Sequence, residues 1–271
     1  MDRQGRLGSA IYGVGMLGFG LVSLIRFDAV PDLEPLPAWL PLRPLVAMLA
    51  ALILLVAGTA LLTRWHTDRA AGTVGALLSV WLVTLFVPQL VAQPRNGGTW
   101  VVVAEIVAMG AAAWMFSSAT SASADSVLMR RVAQGARIMF GLAFLEFGAS
   151  HFEYHGYVES VIPGWIPFHT FFAYAVGVAH LAAGVSLLTR VREQLATALL
   201  AVMFGSWVVF LHAPRVMAAP RTGNEWTSLF VAISMCGASL IVRSSLSAAY
   251  TARAYATPRP MVKQSATLAE S

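Results

Sequence analysis

Charge is scarce in this chain. Eighteen Lys and Arg and thirteen Asp and Glu make up 11% of its 271 residues, where a soluble domain carries about 25%. That shortage excludes a solvated globular surface over most of the length. Lysine is almost missing, with Lys263 the single one. Cysteine is reduced to Cys236, which excludes an intrachain disulfide and any C-x-x-C redox pair. There is no H-E-x-x-H zinc pattern and no flavin or iron–sulfur motif. The first apolar stretch is span-length and lacks an A-x-A site, so no cleavable signal peptide is expected.

What fills the chain is hydrocarbon: 58% of residues are hydrophobic and the mean hydropathy is +0.70. Eight apolar stretches of roughly 17–21 residues each suffice to cross a bilayer. They lie at residues 7–25, 45–63, 71–91, 100–116, 133–151, 171–189, 195–213 and 226–242. Lipid offers no partner to open backbone groups, so helices are expected. The stretches are too long and too evenly apolar for barrel strands. The fold class predicted is all-α, a polytopic membrane protein with eight transmembrane helices.

The second half repeats the first at an offset of 126 residues without a gap. Pro37, Trp39 and Pro41 return as Pro163, Trp165 and Pro167; Leu61-Leu62-Thr63-Arg64 returns as Leu187-Leu188-Thr189-Arg190; Trp81 and Pro88 return as Trp207 and Pro214. Pro94, Arg95, Gly97 and Trp100 return as Pro220, Arg221, Gly223 and Trp226. Such a register predicts one structural unit used twice. The expected organisation is residues 1–126 as a first four-helix repeat with a Ser/Ala-rich linker at 117–126, residues 127–250 as a second, and residues 251–271 as a disordered tail. An even number of spans per half inserts both halves the same way, a parallel repeat about an axis along the membrane normal.

The net charge is +5 and the pI about 9.9. With eight spans, Arg26, Arg43, Arg95, Arg215 and Arg221 fall on one side and the other thirteen basic residues on the side of the termini. The positive-inside rule then puts both termini in the cytoplasm. The basic balance is a topology signal; the partner it implies is the lipid bilayer, with no nucleic acid.

Ionisable side chains within spans are costly and mark function by default. The candidates are Glu105, Glu146, His151, His180 and His212. His180 lies about 15 Å below the end of its span, near the midplane. The three histidines fall on Ile25, Leu54 and Phe86 of the first half, so one copy carries polar groups where the other carries hydrocarbon. Packing within the second half can gather them around one cavity in the outer leaflet. They would then form a functional polar cavity, bind a transition metal or haem iron, or serve as structural histidines bonded to backbone carbonyls. Glu146 can share a proton with a nearby histidine, although it lies about 140° from His151 around the helix. His155 sits four residues beyond His151 and joins it only if that helix continues outward. Glu105, whose counterpart is Val231, is expected at the seam between halves as a gate or a spacer. Glu225 is expected to cap the last span.

Within the second half, Phe147-Gly-Ala-Ser-His-Phe152, Val161-Ile-Pro-Gly-Trp-Ile-Pro167, Gly177-Val-Ala-His-Leu-Ala-Ala-Gly184 and Leu211-His-Ala-Pro-Arg215 with Asn224-Glu-Trp226 together resemble the DoxX-like membrane proteins. The first half resembles the same four-helix unit with most polar positions lost. The family often has Glu at the position of His180. The resemblance implies an integral inner-membrane protein, and in some relatives a link to quinone-reducing membrane redox systems.

Three functions follow as expectations. The first is a redox-associated subunit in which a quinone enters from lipid, His180 or His212 bonds a carbonyl oxygen, Glu146 relays the proton and a soluble or membrane partner supplies electrons. The second is a small-molecule transporter, for which repeats and midplane ionisable groups argue and the lack of evident paired broken helices argues against. The third is a membrane scaffold without catalysis.

Overall fold

A computed structural model describes residues 2–124 and 126–256. The described residues form helices joined by turns and short irregular segments, with no strand among them: α1 (Arg3–Arg26), α2 (Arg43–Thr63), α3 (Thr67–Trp81), α4 (Val87–Ala92), α5 (Gly97–Thr120), α6 (Val127–Glu153), α7 (His155–Val161), α8 (His169–Thr189), α9 (Glu193–Trp207), α10 (Ala213–Ala218) and α11 (Gly223–Ala256). Two π-helical segments, Leu82–Phe86 and Val208–His212, join α3 to α4 and α9 to α10. Among the described residues seven helices are long and apolar enough to cross a membrane, an architecture that fits a polytopic membrane protein. The eighth expected span, α6, is long enough at 27 residues but holds Arg137 and Glu146 within its apolar stretch and is not one of the seven.

Local chemistry sets the helix ends. The side chains of Asp2, Asn96 and Ser126 accept backbone N–H bonds from Gly5, Thr99 and Met129, meeting donors that a helix start leaves open. Left-handed residues bracket the tight turns, and they recur at the repeat offset: Leu42 and Phe168, Arg64 and Arg190, His66 and Arg192. The indole N–H of Trp100 donates to the Pro94 carbonyl at 2.9 Å, and that of Trp226 to the Pro220 carbonyl at 2.8 Å. The P-R-x-G-x-x-W motif is thus a turn closed on itself before α5 and before α11.

Three expectations are corrected. The linker expected at 117–126 is shorter, because α5 runs through Thr120; the hydroxyls of Ser118 and Thr120 bond carbonyls of their own helix, so these residues fit a helix end. The last helix extends beyond residue 250 to Ala256, and the rest of the expected tail lies outside the described residues. Paired interruptions do exist in the third helix of each half. Each π segment precedes a proline, Pro88 or Pro214, which has no N–H to continue the i→i−4 ladder. The N–H groups of Val87 and Ala213 reach back five residues, to the carbonyls of Leu82 and Val208.

Packing crosses the halves. α1 lies along α2 and α11, while α6 lies along α8 and α5. α5 and α11 also meet each other. Glycines allow the close approaches. A Cβ on Gly58 would fall 2.8 Å from the Gly13 carbonyl oxygen, and one on Gly184 would fall 2.8 Å from that of Gly141. Backbones at that distance exclude any larger residue, and in lipid such contact replaces the missing hydrophobic drive for helix association. Arg137 of α6 and Glu193 of α9 form a buried ion pair at 3.9 Å, and the Arg137 guanidinium also donates to the Leu187 carbonyl.

Candidate functional site

At the end of the bundle that carries segments 27–42 and 154–168, a cavity of about 920 Å³ opens between elements of both halves. α6 supplies Phe147, Ser150 and His151; α8 supplies Phe172, Val176 and His180; α9 and the π segment after it supply Phe204, Trp207, Leu211 and His212. Arg215 of α10, Val231 and Met235 of α11, and Glu105 of α5 complete the wall, with Asp32, Leu33 and Pro35 from the segment before α2.

His180 is the most distinctive member. It is 1% exposed, and neither ring nitrogen has a hydrogen-bond partner among the described residues. Its ring is held by other rings. His151 meets it edge-on at 4.9 Å, Phe144 and Phe147 tilt against it at 5.5 and 5.6 Å, and Phe204 and Trp207 stand at 6.1 and 5.8 Å. Offset and edge-to-face packing of this kind fixes a ring by shape, yet an imidazole has two polar atoms that burial obliges to find partners. His180 therefore presents unmet hydrogen-bonding capacity to a cavity.

His151 is arranged differently. Its Nδ1 lies 2.7 Å from the Phe147 carbonyl, which can only accept, so Nδ1 carries the proton and Nε2 is the atom left for other partners. His212, brought into the wall by the π segment, has a buried Nδ1 without a partner. His151, His180 and His212 all line this one cavity. No group of three His, Cys, Asp or Glu side chains among the described residues is placed to hold a metal ion, so the candidate ligand set His151, His180 and His212 does not form as one coordination site.

Glu146 is corrected. It is not part of the cavity lining, and its carboxylate accepts the Ser150 hydroxyl at 2.9 Å. Ser150, one turn along the same face of α6, lines the cavity and donates to this carboxylate. His155 does not join His151 either, because α6 ends at Glu153 and a new short helix begins at His155; its ring stacks on Tyr174 at 5.4 Å. Glu225 does lie in the first turn of α11, and it also holds Arg215 through two hydrogen bonds, Nε to Oε2 at 2.8 Å and Nη2 to Oε1 at 2.9 Å.

Sequence reasoning missed that Glu105 belongs with the histidines. It is a first-half residue, and only the packing of α5 on α6 and α11 brings it to the second half's cavity. The signal available was its mismatch with Val231. The same positions in the first half are filled or turned away: Leu54, the counterpart of His180, is 1% exposed within the core, and Ile25, the counterpart of His151, is 81% exposed.

The segment between α1 and α2 carries one more buried charge carrier. Glu34 is 2% exposed; its Oε2 accepts the Val30 N–H at 3.4 Å and its Oε1 has no partner. Burial, chiefly, pushes its pKa up to about 8, the Val30 N–H opposing; Asp28 adds to the rise, and Arg43, which pairs with Asp28 at 3.1 Å, also opposes it.

These features define a helical, membrane-type protein with a hollow, aromatic-walled histidine site. No family model matches the chain, and no curated protein and no solved structure matches it either.

Proposed function

We propose that the chain is a DoxX-like inner-membrane protein of eight spans in two parallel four-helix repeats, both termini cytoplasmic, whose cavity binds a quinone and serves a redox partner. The helix bounds support the duplication: α2, α3, the first π segment and α5 start at positions that lie 126 residues before the starts of α8, α9, the second π segment and α11. α6 is then the counterpart of α1 and the remaining span.

The observation that carries the binding reading is His180, with two unpartnered ring nitrogens in an aromatic wall facing a cavity of about 920 Å³. The chemistry of the donor set fits a quinone. An imidazole N–H at His180 or His212 can donate to a ring carbonyl, Phe147, Phe204 and Trp207 offer faces to the ring, and Val176, Leu211 and Phe172 offer apolar surface to a tail. A bound quinone supplies two-electron, two-proton redox capacity; the chain's own part is to exclude water and to hold hydrogen bonds on the ring oxygens. Electrons then come from a partner protein.

The test is binding of a decyl-substituted para-benzoquinone to detergent-purified protein by calorimetry, beside His180→Leu, the residue that the first half has at this position. Binding weakened at least ten-fold in a variant of unchanged melting temperature is the expected result, since an unmet buried polar pair costs about 1–3 kcal/mol. Equal affinity in both proteins would remove the reading.

One observation favours transport as a second reading. The paired π segments sit at corresponding positions of the two halves, where interrupted helices of transporters form their binding sites. A cysteine at Met235, in a Cys236→Ala background, separates the two. Transport predicts labelling by a membrane-impermeant thiol reagent from either face in turn, and a fixed binding site predicts labelling from one face only.

A further inference from the structure

Several polar groups in the cavity wall are already engaged. Of the charged lining residues, Arg215 is held by Glu225 and Asp32 accepts from the Asn224 amide. Ser150 donates to Glu146 and Tyr154 to Glu153. Among the Asp, Glu and Arg side chains of the wall Glu105 is the exception: it lines the cavity, and no hydrogen bond or ion pair reaches its carboxyl among the described residues. It enters from α5, opposite in origin to His180 on α8, and its repeat counterpart Val231 lines the same cavity. A carboxyl is not needed to pack there, because the equivalent position of α11 is valine. A carboxyl kept in a membrane-type interior with no protein partner is a ligand-directed group by its cost alone.

We infer that Glu105 is a second anchor of this site and that it selects ligands carrying a hydrogen-bond donor, specifically the ring hydroxyl of a hydroquinone or related phenol. The inference rests on the binding reading above and adds to it the form of the ring that is preferred. In either protonation state a carboxyl keeps an acceptor oxygen, so a hydroxyl on the ring can donate to Glu105 while His180 or His212 meets the oxygen across the ring. A fully oxidised ring has only acceptors, and an ionised carboxylate has nothing to donate to them. Sites built around such a polar partner discriminate strongly against analogues that lack it, because the buried group is then left unmet.

The experiment compares three probes on detergent-purified full-length protein by calorimetry: decyl-substituted para-benzoquinone, its hydroquinone, and the dimethyl ether of that hydroquinone, which has the same ring without a donor. Wild type is expected to bind the hydroquinone at least ten-fold more tightly than the dimethyl ether. Glu105→Leu should bring that ratio to within about three-fold, whereas Glu105→Gln, which keeps a carbonyl acceptor, should retain most of it; melting curves of both variants confirm that they fold. A preference that survives in Glu105→Leu, or wild-type protein that binds quinone without preferring the hydroquinone, overturns the role of Glu105 and leaves the quinone site standing. Wild-type protein that binds none of the three probes overturns both.

Discussion

Replacing Glu34 with glutamine should make this protein more stable in mild alkali, and the size of the gain can be worked out. Glu34 is buried beneath the segment that lines the cavity through Asp32, Leu33 and Pro35. Its carboxyl titrates at about 8 in the folded chain, against an ordinary value of 4.5. In the unfolded chain the proton leaves near 4.5, while the folded chain keeps it until about 8. Between those values the folded state binds more protons, so stability falls as pH rises. The favourable contribution is whole below about pH 4.5, is lost progressively across the window, and is gone above about 8. At about 1.4 kcal/mol per pH unit, the ceiling on the loss is about 5 kcal/mol. Glutamine fills the same space, can accept the Val30 N–H, and does not titrate. Melting temperatures in detergent, read by circular dichroism from pH 4.5 to 8.5, should therefore converge for the two proteins at the acid end and separate at the alkaline end. The separation should be on the order of 10 °C for a loss of this size. Parallel melting curves across the whole range would refute the reasoning, because they would mean that Glu34 reaches water in the folded state.

Other substitutions test the packing. Glu193→Ala should cost about 3–5 kcal/mol by stranding the buried Arg137, and Arg137→Met with Glu193→Leu should recover most of that loss in chemical-denaturation curves. Gly184→Ala places a methyl against the Gly141 carbonyl and should cost about 1–3 kcal/mol, seen as a lowered melting temperature. Tyr12→Phe removes the hydroxyl that donates to the Met109 carbonyl at 2.9 Å in the core; that carbonyl lies inside α5 and keeps its helical partner, so a loss of about 1 kcal/mol is expected.

How much was legible beforehand depends on the range of the interaction involved. The long helices were readable because each run of apolar residues is long enough to have one outcome in lipid. Pro94 and Trp100 announced a turn that closes within seven residues, and its twin at Pro220 and Trp226 repeated the message. The π segments were harder: Pro88 and Pro214 marked the places, but whether a helix bends, stops or widens there depends on its neighbours. The histidines stood out in sequence because the first copy holds Ile25, Leu54 and Phe86 in their stead. Glu105 stood out as clearly, yet its destination was hidden, since the crossing of α5 to α6 is a tertiary choice that no local pattern encodes. Glu146 was legible in part: its offset of about 140° from His151 was plain in the sequence, and its bond with the Ser150 hydroxyl was not.

The packing of α1 against α11 has a consequence for how the protein is made. The glycine-bearing face of α1, through Gly8 and Gly15, meets α11, which comes far later in the sequence. α1 can pair with α2 as soon as both are made, but its other face stays uncovered until α11 has also been made. α6 faces no such delay, because α5 is already in place when it appears. Among the described helices, assembly thus includes a late closing step between α1 and α11, and the hollow beside α11 takes its finished shape only then.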